Sequence, residues 1–173
     1  MLILLTGGSA CGKSTYAESL AMGFPAPRYY IAAMQPYGEE SLRRIARHRA
    51  MRREKGFITL ERYTGLAGLR LPRRGTALLE CVCNLTANEM FDPSGAGEGA
   101  VRAVLSGVEA LGRQCGHLIV VTNEVGSETG DFSDETPRYI RALGEINRAL
   151  AARCDAACEL VCGIPIPLKG GGI

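Results

Sequence analysis

The residues Gly7, Gly8, Ser9, Ala10, Cys11, Gly12, Lys13 and Ser14 stand directly behind the apolar run Leu2-Ile3-Leu4-Leu5-Thr6. They match G-x-x-x-x-G-K-[ST], the loop that holds a nucleoside triphosphate and its magnesium ion. Glycines let the backbone wrap closely round phosphates, with several N–H groups turned inward. A helix beginning near Lys13 turns its positive end toward the same phosphates. In this pattern Lys13 reaches the β- and γ-phosphates and the Ser14 hydroxyl ligates magnesium. A glycine-rich turn carrying a lysine by chance needs neither a buried strand before it nor the helical run Tyr16-Ala17-Glu18-Ser19-Leu20-Ala21 after it, and this chain has both.

Only two histidines occur in the chain. His48 lies in Leu42-Arg43-Arg44-Ile45-Ala46-Arg47-His48-Arg49-Ala50-Met51-Arg52-Arg53. On a helix, Arg44, His48 and Arg52 recur at i, i+4 and i+8 and share one line. Positive neighbours disfavour imidazolium and lower its pKa, which leaves a neutral ring with a free lone pair. The same arginines suit phosphate oxygens. A neutral histidine among phosphate-binding arginines is a sound phosphorus nucleophile. A solvated basic helix face with an incidental histidine explains the segment equally well. His117, placed before a buried strand at the end away from any ligand, reads as structural. Two acids are better sited. Glu80 closes a strand beside the phosphate loop, and Glu124 follows Thr122-Asn123 at the end of another. Either could hold magnesium's water, orient an attacking hydroxyl or bind a ribose. Glu61, after a short strand, is the weaker third.

Strands are expected at 2–6, 29–33, 57–60, 76–80, 118–122 and 158–162, with 164–168 returning as an edge hairpin whose prolines suit an edge. Helices are expected after the phosphate loop and at 39–55, 85–91, 99–113 and 137–153, with a mobile loop at 126–133. Alternating strands and helices imply an α/β fold with a mostly parallel sheet, whose ligands gather at the carboxyl ends of the strands. At 173 residues the chain fits a single domain over 1–173. A net charge of +2 argues against a general polyanion binder. The basic run 43–55 has Tyr63 as its one nearby stacking aromatic, so nucleic acid is not an expected partner. No apolar stretch reaches membrane length and no leader is evident, so a cytoplasmic location is expected. Seven cysteines without paired C-x-x-C spacing read as buried thiols in a reducing compartment. Cys11, inside the phosphate loop near a helix N-terminus, is thiolate-prone, with no catalytic role assigned.

Together these stretches resemble the bifunctional adenosylcobinamide kinase/adenosylcobinamide-phosphate guanylyltransferase family of cobalamin assembly. The resemblance is carried by 4–14, Tyr30-Ile31-Ala32-Ala33, 44–52, Leu78-Leu79-Glu80-Cys81, Val121-Thr122-Asn123-Glu124-Val125-Gly126, 146–152 and 160–165, nearly the whole chain. The phosphate loop is generic, whereas the histidine segment and Thr-Asn-Glu-Val-Gly are far more particular. The resemblance implies a RecA-like P-loop fold with helices on both faces of the sheet and an antiparallel C-terminal edge hairpin. It implies phosphorylation of the corrinoid adenosylcobinamide by ATP or GTP with Mg2+. It then implies transfer of GMP from GTP through a guanylylated histidine, a role that falls on His48, with Lys13 shared. Implied nucleotide contacts are Gly7 to Ser14, Ala32, Ala33, Met34, Arg49, Ala50, Met51, Arg52, Glu61 and Glu80. The edge hairpin and the basic helix would suit contacts in a homo-oligomer. The chain departs from the family pattern at Ala33, where threonine is usual, at Pro36-Tyr37-Gly38, where an acid is expected, and at Phe57, where tryptophan is usual. The loop 126–136 is also unusually acidic, with Glu128, Asp131, Asp134 and Glu135. A kinase without the transfer step, or a nucleotide-dependent binding module, would share the phosphate loop.

Overall fold

Strands β1 (Leu2–Thr6), β2 (Arg28–Ala32), β3 (Phe57–Glu61), β4 (Thr76–Glu80), β5 (His117–Val121), β6 (Ala156–Val161) and β7 (Ile164–Lys169) form one sheet in the order β3-β2-β4-β5-β1-β6-β7. Every pairing is parallel except the last, β6 with β7. The structure is a computed structural model describing residues 1–124 and 135–171, the side chains of Glu40, Ser41, Arg44, Met51 and Glu135 excepted. The expected loop 126–133 therefore lies outside the described residues.

Parallel strands need cover on both faces, and their apolar runs supply it. Alternation sends Ile3, Leu5, Tyr30, Leu78 and Ile119 to one face, where Ala17 and Ala21 of helix α1 (Lys13–Met22) meet them. Leu4, Tyr29, Ile31, Leu79 and Val120 go to the other. There they pack on α3 (Val82–Phe91), α4 (Ala100–Gln114) and α5 (Glu135–Arg153). Val104, Val108 and Leu111 of α4 recur at i, i+4 and i+7, one helical stripe. Each such side chain contributes roughly 1.5–3 kcal/mol when fully buried. The helix α2 (Gly38–Arg52) lies over Tyr30 on the first face.

Two boundaries differ from the sequence expectation. Helix α3 begins at Val82, ahead of the expected 85, because Val82 and Cys83 bury against the core and the Leu85 N–H reaches the Cys81 carbonyl at 3.1 Å. Helix α2 ends at Arg52, short of the expected 55. Lys55 lies in the turn beyond it, and its ammonium reaches the fully buried Glu18 of α1 at 2.5 Å. That pair fastens the end of α2 to α1. Lys55→Ala strands a carboxylate whose Oε1 already lacks a partner among the described residues. The variant should lose about 3 kcal/mol, lowering Tm by roughly 6–12 °C, as thermal unfolding will read.

Register sets the functional edge. Glu61 pairs with Ala32, Ala32 with Glu80, Glu80 with Val121 and Val121 with Leu5. One row across the carboxyl end of the sheet thus carries Glu61 and Glu80 to the phosphate loop that follows β1.

Candidate active site

The loop from Gly7 to Gly12 is shaped by close backbone contact. Gly7 has φ +136, and a Cβ there would lie 2.5 Å from the Leu160 carbonyl oxygen. Gly12 has φ +100 and caps α1, with the Gly163 Cα 3.2 Å from where its Cβ would stand. The Gly163 amide, in the β6–β7 turn, donates to the Cys11 carbonyl at 2.8 Å. The hairpin therefore props the loop from behind. Lys13 is buried, and its ammonium donates to the carbonyls of Gly7 at 2.8 Å and Gly8 at 2.5 Å and lies 3.4 Å from Cys11 Sγ.

Four side chains converge beside the loop. The Ser14 hydroxyl donates to Glu80 Oε1. The Tyr30 hydroxyl donates to Glu80 Oε2 at 3.0 Å. His48 Nδ1 lies 3.5 Å from the Tyr30 hydroxyl and 3.6 Å from Glu80 Oε1. Arg52 stacks on the Tyr30 ring, 3.4 Å from its centroid. The His48 side chain is 13% exposed, so it is not an incidental histidine on a solvated face. Its imidazole is held below the ordinary histidine pKa. Burial is the largest cause, Glu80 opposes it, and Arg52 and Arg47 reinforce it. The direction of shift expected from the sequence holds, but desolvation leads and the arginines follow. The Arg44 side chain lies outside the described set.

These groups line a cleft of about 440 Å³ together with Ser9, Ala10, Cys11, Gly12, Lys13, Ala32, Met34, Arg49 and Glu61. Arg49 donates to Glu61 Oε1 at 2.6 Å, and Tyr63 donates to Glu61 Oε2 at 2.9 Å, closing the far wall. Gly7 and Gly8 stand behind the lining and act through their carbonyls on Lys13.

Three expected positions fall elsewhere. Ala33 is fully buried in the core, its N–H on the Glu80 carbonyl at 3.0 Å and its carbonyl on Asn88 Nδ2 at 2.8 Å. Strand alternation turns its side chain away from the cleft, so it is no side-chain contact for a nucleotide. Ala50 is exposed on α2 and does not line the cleft, because its helical position faces away from the sheet. Glu124 is exposed beyond the end of β5 and also lies off the lining, so between the two acids the sheet register selects Glu80. The Met51 side chain is outside the described residues.

Tyr30, Asn84 and Asn123 also line the cleft; Tyr30 and Asn123 lie in stretches that carry the resemblance, yet no motif assigns a role to any of the three. For Tyr30 the signal was available, since a tyrosine in a buried strand must find a partner for its hydroxyl. Thr122 donates to Asn147 Oδ1 at 2.7 Å, which ties the end of β5 to α5. Cys83, expected to be a buried thiol, is held down to about 6 by the Cys81 thiol first, with the Asn123 amide donating to its sulfur at 3.2 Å. His117 stacks on Phe24 with centroids 4.1 Å apart, far from this edge and structural as expected.

A family model described as cobinamide kinase / cobinamide phosphate guanyltransferase matches residues 3–168. The chain is similar to the bifunctional adenosylcobalamin biosynthesis protein CobP of Pseudomonas aeruginosa, 36% identical over 172 residues, covering 96% of each chain. It is also similar to the bifunctional adenosylcobalamin biosynthesis protein CobU of Escherichia coli, 33% identical over 183 residues, covering 98% of this chain and all of that one (100%). Among solved structures, the flagellar accessory protein FlaH of Methanocaldococcus jannaschii superposes with a TM-score of 0.53 at 11% identity, over 98% of this chain and 78% of that one. That likeness carries the fold alone, a RecA-like P-loop sheet with an antiparallel edge pair.

Proposed function

The chain belongs to the cobinamide kinase / cobinamide phosphate guanyltransferase family, and from that premise we propose that one cleft serves both reactions and that His48 carries the guanylyl group between them. The observation that supports this most is the largely enclosed His48 ring, sharing Glu80 with Ser14 of the phosphate loop.

In the first reaction the cobinamide hydroxyl attacks the γ-phosphorus of ATP or GTP. The new P–O bond forms as the β–γ bridge breaks, the nucleoside diphosphate leaves, and the hydroxyl proton passes to water. Lys13 and the inward N–H groups of the loop stabilise the spreading phosphate charge. The Ser14 hydroxyl and the Glu80 carboxylate, two hard oxygen donors in contact at the start of α1, fit magnesium. Among the described residues no group of three or more acidic, histidine or cysteine side chains is placed to hold a metal ion. When bound, magnesium neutralises part of the triphosphate charge.

In the second reaction the lone pair of His48 Nε2 attacks the α-phosphorus of GTP. The N–P bond forms, the α–β bridge breaks, and pyrophosphate leaves with the bonding electrons. The ring becomes cationic with its proton on Nδ1, facing Glu80, whose carboxylate offsets that charge. A phosphate oxygen of the cobinamide phosphate then attacks the same phosphorus, and the N–P electrons return to Nε2. Arg49 and Arg52, both in the cleft, suit the phosphate oxygens. Nucleic acid plays no part in this chemistry. No helix among the described residues is long and apolar enough to cross a membrane. The exposed Ile164, Ile166 and Leu168 of β7 support self-association through side chains, since Pro165 and Pro167 supply no N–H for strand pairing.

The test uses GTP labelled at the α-phosphorus. An acid-labile GMP adduct should appear on His48 and transfer to cobinamide phosphate. Because the imidazole pKa is lowered, the nucleophile is already neutral at pH 7. The adduct rate should therefore be flat through neutrality and fall only below the ordinary histidine value of 6.5, as protonation removes the lone pair. Label entering cobinamide from the γ-phosphate, with none from the α-phosphate, would identify a kinase alone.

A further inference from the structure

Tyr30 belongs to no phosphate-binding or catalytic motif, yet it touches three of the groups placed in the reaction. Its residue is 4% exposed on β2. Its hydroxyl donates to Glu80 Oε2 at 3.0 Å and lies 3.5 Å from His48 Nδ1. The Arg52 guanidinium lies 3.4 Å over its ring centroid, and Phe57 meets its ring edge-on at 6.3 Å. His48 and Arg52 are one helical turn apart, so the working face of α2 rests on this single side chain. Arg52 is 6% exposed, and its Nε and Nη1 have no hydrogen-bond partner among the described residues. A buried guanidinium in the cleft with free donors is oriented for an anion.

We infer that Tyr30 is the positioning residue of guanylyl transfer. Its hydroxyl sets the tautomer of His48, and its ring face holds Arg52 in the cleft. A neutral imidazole has one donor and one acceptor nitrogen. Tyr30 gives its only proton to Glu80 and so presents lone pairs to Nδ1, as does Glu80 Oε1. Two acceptors on one side draw the ring proton to Nδ1, which leaves Nε2 bare as the attacking atom. Phosphoryl transfer to the hydroxyl acceptor uses neither His48 nor its tautomer. Glu80, which the Tyr30 hydroxyl also holds, serves both reactions, so Tyr30 should matter more for guanylyl transfer than for phosphorylation.

This inference rests on the guanylyl-histidine reading above, and the test separates the two. Tyr30→Phe keeps the ring and removes only the hydroxyl. It should slow formation of the GMP adduct about ten- to a hundredfold and lower kinase turnover by a clearly smaller factor. Nitrogen-15 imidazole spectra of the protein without nucleotide, simplified by there being two histidines, should show Nδ1–H for His48 in wild type and a shift toward Nε2–H in Tyr30→Phe. Tyr30→Leu, which also removes the stacking face, should raise the KM for GTP where Tyr30→Phe leaves it unchanged. An unaltered tautomer in Tyr30→Phe overturns the assignment, and so does an equal fall in both activities. Wild-type protein that forms no adduct refutes the histidine carrier instead, while the tautomer spectra still judge Tyr30.

Discussion

His48→Ala should form no acid-labile GMP adduct and should lose guanylyl transfer about ten-thousand-fold or more. Kinase turnover should stay within about threefold of wild type, since single changes outside a step's machinery cost little in that step. The size of the loss follows from the role. A covalent carrier divides one difficult displacement into two easier ones, and without it the acceptor phosphate must reach the α-phosphorus directly. Two phosphate groups repel, and no neutral nucleophile remains to bridge them. The side chain is only partly enclosed, 13% exposed, and packs at the edge of the sheet rather than in its core. Truncation should therefore leave the fold intact, as circular dichroism and Tm will show. Chasing labelled enzyme with cobinamide phosphate gives the same answer from the other side. The label should move to the acceptor in wild type and be absent at the start in the variant. Label surviving in His48→Ala at wild-type stoichiometry would place the carrier elsewhere.

What could be read from the chain divides along contact range. The phosphate loop was legible because strand, loop and helix are contiguous, and Gly7, Gly12, Lys13 and Ser14 stand where local geometry requires them. The line of His48 and Arg52 was legible for the same reason, being one helix turn. What α2 rests on was not legible. Tyr30 reaches His48 and Glu80 because β2 lies between β3 and β4, an order that no local pattern states. The choice between Glu80 and Glu124 likewise waited on register, which puts Glu80 in a row with Ala32 and Val121 and leaves Glu124 beyond the strand. Ala33 is the converse case: the resemblance implies a nucleotide contact there, while strand alternation sends its side chain into the α3–α5 core. The imidazole pKa was read with the correct sign from its arginine neighbours, yet burial, which needs the whole fold, is the larger cause. The Lys55–Glu18 pair, set between two helices distant in sequence, had no local signal at all.

Lys13→Ala should lower both reactions together, by roughly a hundred- to a thousandfold each. Shared space is the reason. Among the described residues the chain has one phosphate loop, and Lys13, Ser14, Glu80 and His48 all line the same cleft of about 440 Å³. In the proposed reading, the γ-phosphorus used in phosphorylation and the α-phosphorus used in guanylylation would belong to successive occupants of one cradle. Lys13 supplies the cation of the loop. Its ammonium now rests on the Gly7 and Gly8 carbonyls, neutral acceptors that an anionic triphosphate outcompetes once bound. Removing it takes a cation from the bridging oxygens whichever bond is breaking, so kcat should fall in both assays, and the KM for each nucleotide should rise with it. Sharing also makes the nucleotides competitors. Non-hydrolysable ATP should inhibit adduct formation from GTP, with an inhibition constant equal to that measured in the kinase assay. A Lys13→Ala protein that loses phosphorylation but forms the His48 adduct at the wild-type rate would separate the two nucleotides in space. His48 would then have to receive GTP away from the loop, although its Nδ1 lies 3.6 Å from the carboxylate that Ser14 also holds.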